Sequence, residues 1–278
     1  MADRPHLAGL SWRQFRYDNK TFWRTPIAAF FTIVFPLMFL LLFSALFGDE
    51  KIEIPGRGIF SVAQFYAPAL AAFAVGSATY TNIGVQVAFA RDQGILKRFR
   101  GAPLPSPAFM AGKIASGVWI ALLAATLMLT VGVIFYDVSI ALERLPAAAI
   151  TFLLGAGCFA SLGLALGSLA PTGEASTAIA NATYLPVAFA SDVFIAIGEP
   201  PAWLEFIGNV FPLKHFVNAF QDAFNPLTSD LAMRPGDWAA MVAWGVVGSL
   251  IAWRFFKWQP RESSGRSVRR GRKAESPA

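Results

Sequence analysis

The chain has 278 residues, 55% of them hydrophobic and only 14% charged, with a formal net charge of +6. Soluble domains carry about a quarter charged residues, so the composition excludes an ordinary soluble domain. Apolar runs longer than the ~18 residues of a membrane helix, without ~10-residue segments of alternating polarity, predict an all-α polytopic membrane protein rather than a β-barrel. The single cysteine, Cys158, and the two histidines, His6 and His215, leave no disulfide framework and no metal-ligand cluster.

Residues 8–24 predict a helix lying on the cytoplasmic membrane surface. Arg13, Arg16, Lys20 and Arg24 form a basic stripe at steps of three and four, and Trp12, Phe15, Phe22 and Trp23 lie on the neighbouring face. Cations toward lipid phosphates and rings in the acyl boundary are the signature of an interfacial helix. The first span covers 26–47, with a kink expected at Pro36. A short outer loop with Asp49, Glu50 and Glu53 leads to a second span over 60–90. That span is over-long and polar in its second half, at Ser77, Thr79, Tyr80, Thr81, Asn82 and Gln86. Such groups rarely face lipid, because an unpaired polar group in hydrocarbon costs several kcal/mol.

A basic loop over residues 91–113 holds Arg91, Lys97, Arg98, Arg100 and Lys113 against one acid, Asp92. The third span covers 114–136, and a second short outer loop follows. The fourth, over 146–169, contains a Gly163/Gly167 pair that lets helix backbones approach closely. A tight inner turn, residues 171–174, lacks the glycine spacing and the lysine of a phosphate loop, so ATP binding there is rejected. The fifth span covers 175–197. Residues 199–226 predict two short helices opened by Pro201 and Pro212, too short to cross a bilayer and placed in or on the outer leaflet. The sixth span covers 238–253, and a basic tail, 257–278, reads as disordered and attracted to anionic lipid.

Six spans put both termini on one side. Eighteen of the 23 lysines and arginines then lie inside and five outside, which predicts cytoplasmic termini. No charged residue falls in the middle of any span, so the coupling group of an ion-driven carrier is missing. No metal-binding pair or apposed nucleophile and base is legible either. The chain reads as no enzyme by itself, and energy for uphill movement must come from another subunit.

The loop carries a more specific signal. Arg91-x-x-Gly94-x-Leu96-Lys97-Arg98, then Pro103-Leu104 and Gly112-Lys113, resembles the cytoplasmic segment of type-two ABC exporter permeases. Asp92 stands where that family more often has Glu. The pieces Pro201-Ala-Trp203-Leu204 and Phe211-Pro212-Leu213 resemble the family's outer region. Ser191-Asp192 and Lys214-His215 depart from its pattern. The resemblance implies an interfacial elbow helix, six transmembrane helices, a cytoplasmic coupling helix and two outer re-entrant helices, all in one permease domain over 1–256. It implies that Arg91, Asp92, Gly94, Ile95, Leu96, Lys97, Arg98 and Phe99 meet the ATPase, with Ile95, Leu96 and Phe99 as an apolar knob and the cations at its rim.

The partners expected are two nucleotide-binding ATPase subunits, a second permease copy or homologue, and membrane lipid, with no nucleic acid. No cofactor is expected in this chain, ATP-Mg being held by the ATPase. Spans one, two and five would line the substrate path, with Tyr80, Asn82, Gln86, Asn181 and Tyr184 as its polar lining. The aromatic outer helices favour export of an amphipathic or apolar compound, drug-like or lipid, across a bacterial plasma (inner) membrane. The alternatives are an ion-coupled secondary carrier or channel, a membrane-embedded enzyme, or a polysaccharide exporter of the same architecture.

Overall fold

The fold is taken from a computed structural model, in which residues 7–48, 50–54, 58–95, 106–194, 201–228 and 230–256 are described. Helix α1 (Leu7–Trp23) precedes α2 (Pro26–Phe47). An antiparallel hairpin follows, β1 (Lys51–Ile54) paired with β2 (Gly58–Ser61), Lys51 lying opposite Ser61. It leads into α3 (Val62–Asp92), α4 (Ser106–Tyr136), α5 (Leu145–Leu169) and α6 (Gly173–Phe189). Two short helices, α7 (Ala202–Val210) and α8 (Pro212–Phe224), come before α9 (Pro235–Phe255).

Five helices among the described residues are long and apolar enough to cross a membrane: α2, α3, α4, α5 with the turn before it, and α9. Helix α6 has 17 residues, which at 1.5 Å per residue is about 26 Å. It stops at Phe189, eight residues before the expected end of the fifth span. The chain there enters a turn with Asp192 at φ 56°, and 195–197 lie outside the described residues. The third helix starts at Ser106 rather than near 114, which takes Gly112 and Lys113 into a helix. Where an outer loop was expected, β1 and β2 form. The alternation of Ile52 and Ile54 before Pro55-Gly56 was its only signal.

The bundle is organised around α3. Every residue from Val62 to Gly76 is buried, and the six alanines at 63, 67, 69, 71, 72 and 74 let neighbouring helices close on all sides. Two π-helical turns, Phe30–Val34 in α2 and Ser77–Thr81 in α3, interrupt the regular ladder. In the second, the Thr79 hydroxyl donates back to the Val75 carbonyl at 2.7 Å, which satisfies a buried polar group within its own helix.

The Gly163/Gly167 pair serves packing within the chain. A Cβ on Gly163 would sit 2.6 Å from the Thr79 carbonyl oxygen, and one on Gly167 would sit 2.8 Å from Val87 Cβ. Helices α3 and α5 therefore pack closely along this stretch, backbone against backbone at Gly163.

The two short helices differ in burial. Helix α7 buries only Gly208. Helix α8 is not a surface helix: Leu213, Phe216 and Val217 are fully buried in the main core. Its end is pinned from three directions. Gln64 donates to the Phe224 carbonyl and accepts from Ser139 N–H. Arg144 donates to the carbonyls of Asn225 and Thr228, and Arg234 pairs with Asp222 at 2.7 Å. Gln64 and Arg144 thus supply donors that carbonyls at and just beyond a helix C-terminus lack, while Arg234 holds the Asp222 side chain.

Candidate functional site

The C-terminal end of α3 and the turn that joins α5 to α6 form one polar junction. Gly94 ends α3. Its N–H donates to the Arg91 carbonyl at 3.0 Å and its φ is +67°. That is the left-handed cap that glycine adopts without a side-chain penalty, which accounts physically for the Arg-x-x-Gly spacing. Immediately before this cap, Arg91 is buried, its side chain 3% exposed. Its guanidinium donates to the carbonyls of Gly167 at 3.0 Å, Ser168 at 3.3 Å and Ala170 at 2.6 Å. These are carbonyls at the C-terminus of α5 and just beyond it, where the helix dipole favours a cation.

Asp92 reaches the other side of the same turn. Its Oδ2 accepts from the N–H of Gly173, the first residue of α6, where the dipole favours an anion. Thr172 caps the same helix by accepting from Ala175 N–H at 3.1 Å. Gly173 is needed because a Cβ there would lie 2.6 Å from the Phe89 ring of α3. So Arg91 closes α5 and Asp92 opens α6, from adjacent positions on α3. In this chain the Arg91 guanidinium faces buried carbonyls rather than the surface. Asp92 keeps about a quarter of its side chain exposed. Gly94 and Ile95 are half-buried, whereas Leu96, Lys97, Arg98 and Phe99, with Pro103 and Leu104, lie outside the described residues.

A second polar cluster binds α1 to the bundle. Lys113 Nζ lies 2.6 Å from Asp18 Oδ1 and donates to Gln86 Oε1 at 3.0 Å. Gln14 donates to the other Asp18 oxygen at 2.9 Å, and Gln86 donates to Asn82 at 2.6 Å. Gly112 makes the approach possible, since a Cβ there would meet Gln14 Cβ at 2.6 Å. The Gly112-Lys113 motif is therefore a seat for α1, glycine giving the clearance and lysine the charge. Gln14, Asp18 and Phe22 form the buried stripe of α1, while Arg13, Arg16, Lys20 and Arg24 remain exposed. Phe22 is fully buried in the protein core, not in the acyl boundary where its spacing placed it.

The five residues predicted to line a path fall into three places. Asn82 and Gln86 belong to the Lys113 cluster. Tyr80 and Tyr184 line a small cavity of about 200 Å³ with Phe159, Thr183 and Trp244. In it the Tyr80 and Thr183 hydroxyls lie 2.8 Å apart, and the Tyr184 hydroxyl donates to the Phe73 carbonyl at 2.7 Å. Asn181 stands apart on the exposed face of α6.

Sequence reasoning missed a larger cleft between α2, α3 and the end of α6. Phe35, Phe39, Phe43 and Phe47 repeat at i+4 along α2 and face Leu185 and Phe189, enclosing about 610 Å³. Tyr66 and Phe194 close its back, ring against ring with Phe43 and Phe39 at 4.7 and 5.2 Å. The four-residue period of phenylalanine was legible; that it opens on a cleft was not. At the opposite end of the bundle, His215 bridges Asp237 at 2.7 Å and the Asn209 carbonyl at 2.9 Å, and Lys214 pairs with Asp192 at 3.8 Å. The two departures from the family pattern thus hold each other in the fold.

Long apolar helices around a buried central helix, tied by polar junctions at their ends, define a polytopic helical membrane protein. Residues 7–225 match the family model described as ABC-2 type transporter, and the chain belongs to that family as a membrane permease subunit. It is 26% identical over 203 residues to the daunorubicin resistance ABC transporter permease protein DrrB1 of Streptomyces coeruleorubidus, covering 71% of this chain and 68% of that one. It is 23% identical over 211 residues to the inner membrane transport permease YadH of Escherichia coli K12, covering 74% and 82%. A putative transport permease of Bacillus subtilis, YvfS, is 23% identical over 151 residues, 54% of this chain and 61% of that one.

Proposed function

We propose that this permease exports an amphipathic or apolar compound, drug-like or lipid, from the cytoplasm or inner leaflet of a bacterial inner membrane. The observation that carries the substrate class is the phenylalanine-lined cleft of about 610 Å³ between α2, α3 and α6. A drug-sized ligand is held mostly by apolar and aromatic lining with few polar groups, and this lining offers a sugar chain almost no hydrogen bonds. The resistance function in the name of the Streptomyces relative supports a drug-like cargo.

In this reading residues 1–256 are one permease domain. Helix α6 belongs to the fifth of six spans and α9 is the sixth, both termini are cytoplasmic, and α1 is the interfacial elbow. Residues 94–99 are the coupling segment, on which Ile95, Leu96 and Phe99 dock and Lys97 and Arg98 meet rim carboxylates of an ATPase that holds ATP-Mg. Two such ATPases and a second permease complete the transporter. Tyr80, Tyr184 and Asn181 border the path. Asn82 and Gln86 serve the inner cluster instead.

The test is co-purification of the permease with its ATPase from membranes, with ATP hydrolysis measured in the complex. Lys97→Glu with Arg98→Glu is expected to lose the complex and stimulated hydrolysis together. If both survive the double charge reversal, the docking reading is wrong.

A further inference from the structure

Adjacent residues on α3 cap two different helices, and that arrangement has a mechanical consequence. Arg91 holds the carbonyls of Gly167, Ser168 and Ala170 from inside the protein. Asp92 holds the first N–H of α6. Around them α3 and α5 pack closely, with the Thr79 and Tyr80 backbone against Gly163, Val87 against Gly167 and Leu166 against Gly84, and Phe89 lies over Gly173. Sliding α3 against this turn would strand the Arg91 charge and several carbonyls without partners, in a place closed to water. Moving as one body strands none. A buried guanidinium tied to several fixed carbonyls transmits displacement rather than absorbing it.

We propose that Arg91 and Asp92 are positioning residues that carry displacement of the 94–99 segment into α6 through the α5–α6 turn. The proposal rests on the reading that this segment docks on the ATPase. Neither residue touches the motor or the cargo in this role. Arg91 anchors the end of α3 to α5, and Asp92 makes the start of α6 follow it. Because α6 exposes Asn181 on one face and contributes Leu185 and Phe189 to the aromatic cleft, movement there reshapes the proposed substrate site. The α5–α6 turn therefore acts as a second inner contact point, reached through α3 and not by the ATPase directly.

The experiment uses the permease–ATPase complex in membrane vesicles, with Cys158→Ser as background and single reporter cysteines Lys97→Cys or Asn181→Cys. Maleimide reaction rates are measured without nucleotide and with ATP plus vanadate. In the background protein both reporters are expected to change rate on nucleotide binding, by about tenfold, within the usual span of allosteric couplings. With Asp92→Ala or Arg91→Gln the change at 181 should fall below about twofold, short of that span, while the change at 97 persists. Arg91→Lys, which keeps the charge but not the fork of donors, should give an intermediate response. A purely structural role predicts equal loss at both reporters, or loss of the complex, and either result overturns the proposal. So does an undiminished response at 181 in both Asp92→Ala and Arg91→Gln. No response at 97 in the background complex would sink the docking reading itself, and this inference with it.

Discussion

The Asp18–Lys113 pair gives the sharpest quantitative test of how α1 is held. The two side chains are 3% and 7% exposed and approach to 2.6 Å. Removing one partner of a buried ion pair leaves the other charge uncompensated, at a cost of about 3–5 kcal/mol. Each partner here keeps one further hydrogen bond, Lys113 to Gln86 and Asp18 from Gln14, which places both single variants at the low end of that range. Asp18→Leu and Lys113→Met should therefore each cost about 3 kcal/mol. The double variant removes both charges and fills their space with apolar atoms, so it should lie within about 1 kcal/mol of the parent. The assay is equilibrium unfolding in mixed micelles, run as a double-mutant cycle. Single losses under about 1 kcal/mol, the range of an exposed pair, would refute the reasoning. Additivity of the two single losses in the double variant would do the same.

Three other outcomes follow from local geometry. Gly94→Ala, at φ +67°, should destabilise by about 1 kcal/mol, with Gly94→Asn milder because Asn tolerates the left-handed region; thermal midpoints of the purified protein decide it. Gly163→Ala must push α3 and α5 apart and should cost about 1–3 kcal/mol, whereas Gly157→Ala, with nothing within 4 Å, should be neutral or stabilising in the same measurement. In the loop before α9, hydrogen bonds from the Arg234 side chain and the Ala232 N–H hold the Asp230 carboxyl below its ordinary 3.8. A depressed folded value means that the stabilisation is present above 3.8 and is lost as pH falls through the lower, folded value. Hydrogen-exchange protection of the 230–234 loop should hold from neutral pH down to 3.8 and decline below it, and Asp230→Asn should abolish that dependence.

The match between sequence and structure depends on how local each signal is. Hydropathy placed α2, α5 and α9 within three residues at either end, because length and apolarity are properties of the segment itself. The Gly163/Gly167 pair was legible for the same reason. Arg91 shows the limit. Its position in a cationic run made it look like a surface group, and nothing local says that the carbonyls of residues 167–170 await it some eighty positions away. Lys113 misled likewise: a lysine after a basic loop reads as the end of that loop until Asp18 is brought beside it. Helix α8 read as a surface element by length, yet Phe216 needs the space that Gly155 leaves, a Cβ there lying 2.5 Å from its ring.

By itself the sequence determined that this is a helical membrane permease with a basic segment between two long apolar runs. Those facts follow from the energetics of apolar runs and charges in a bilayer, read one segment at a time. The tertiary structure alone decided which charges are buried and paired, which helix ends Arg91 and Asp92 cap, and that four phenylalanines of α2 face a cleft. Each of these depends on which helices meet at their ends, and only the packed bundle brings together residues so far apart along the chain.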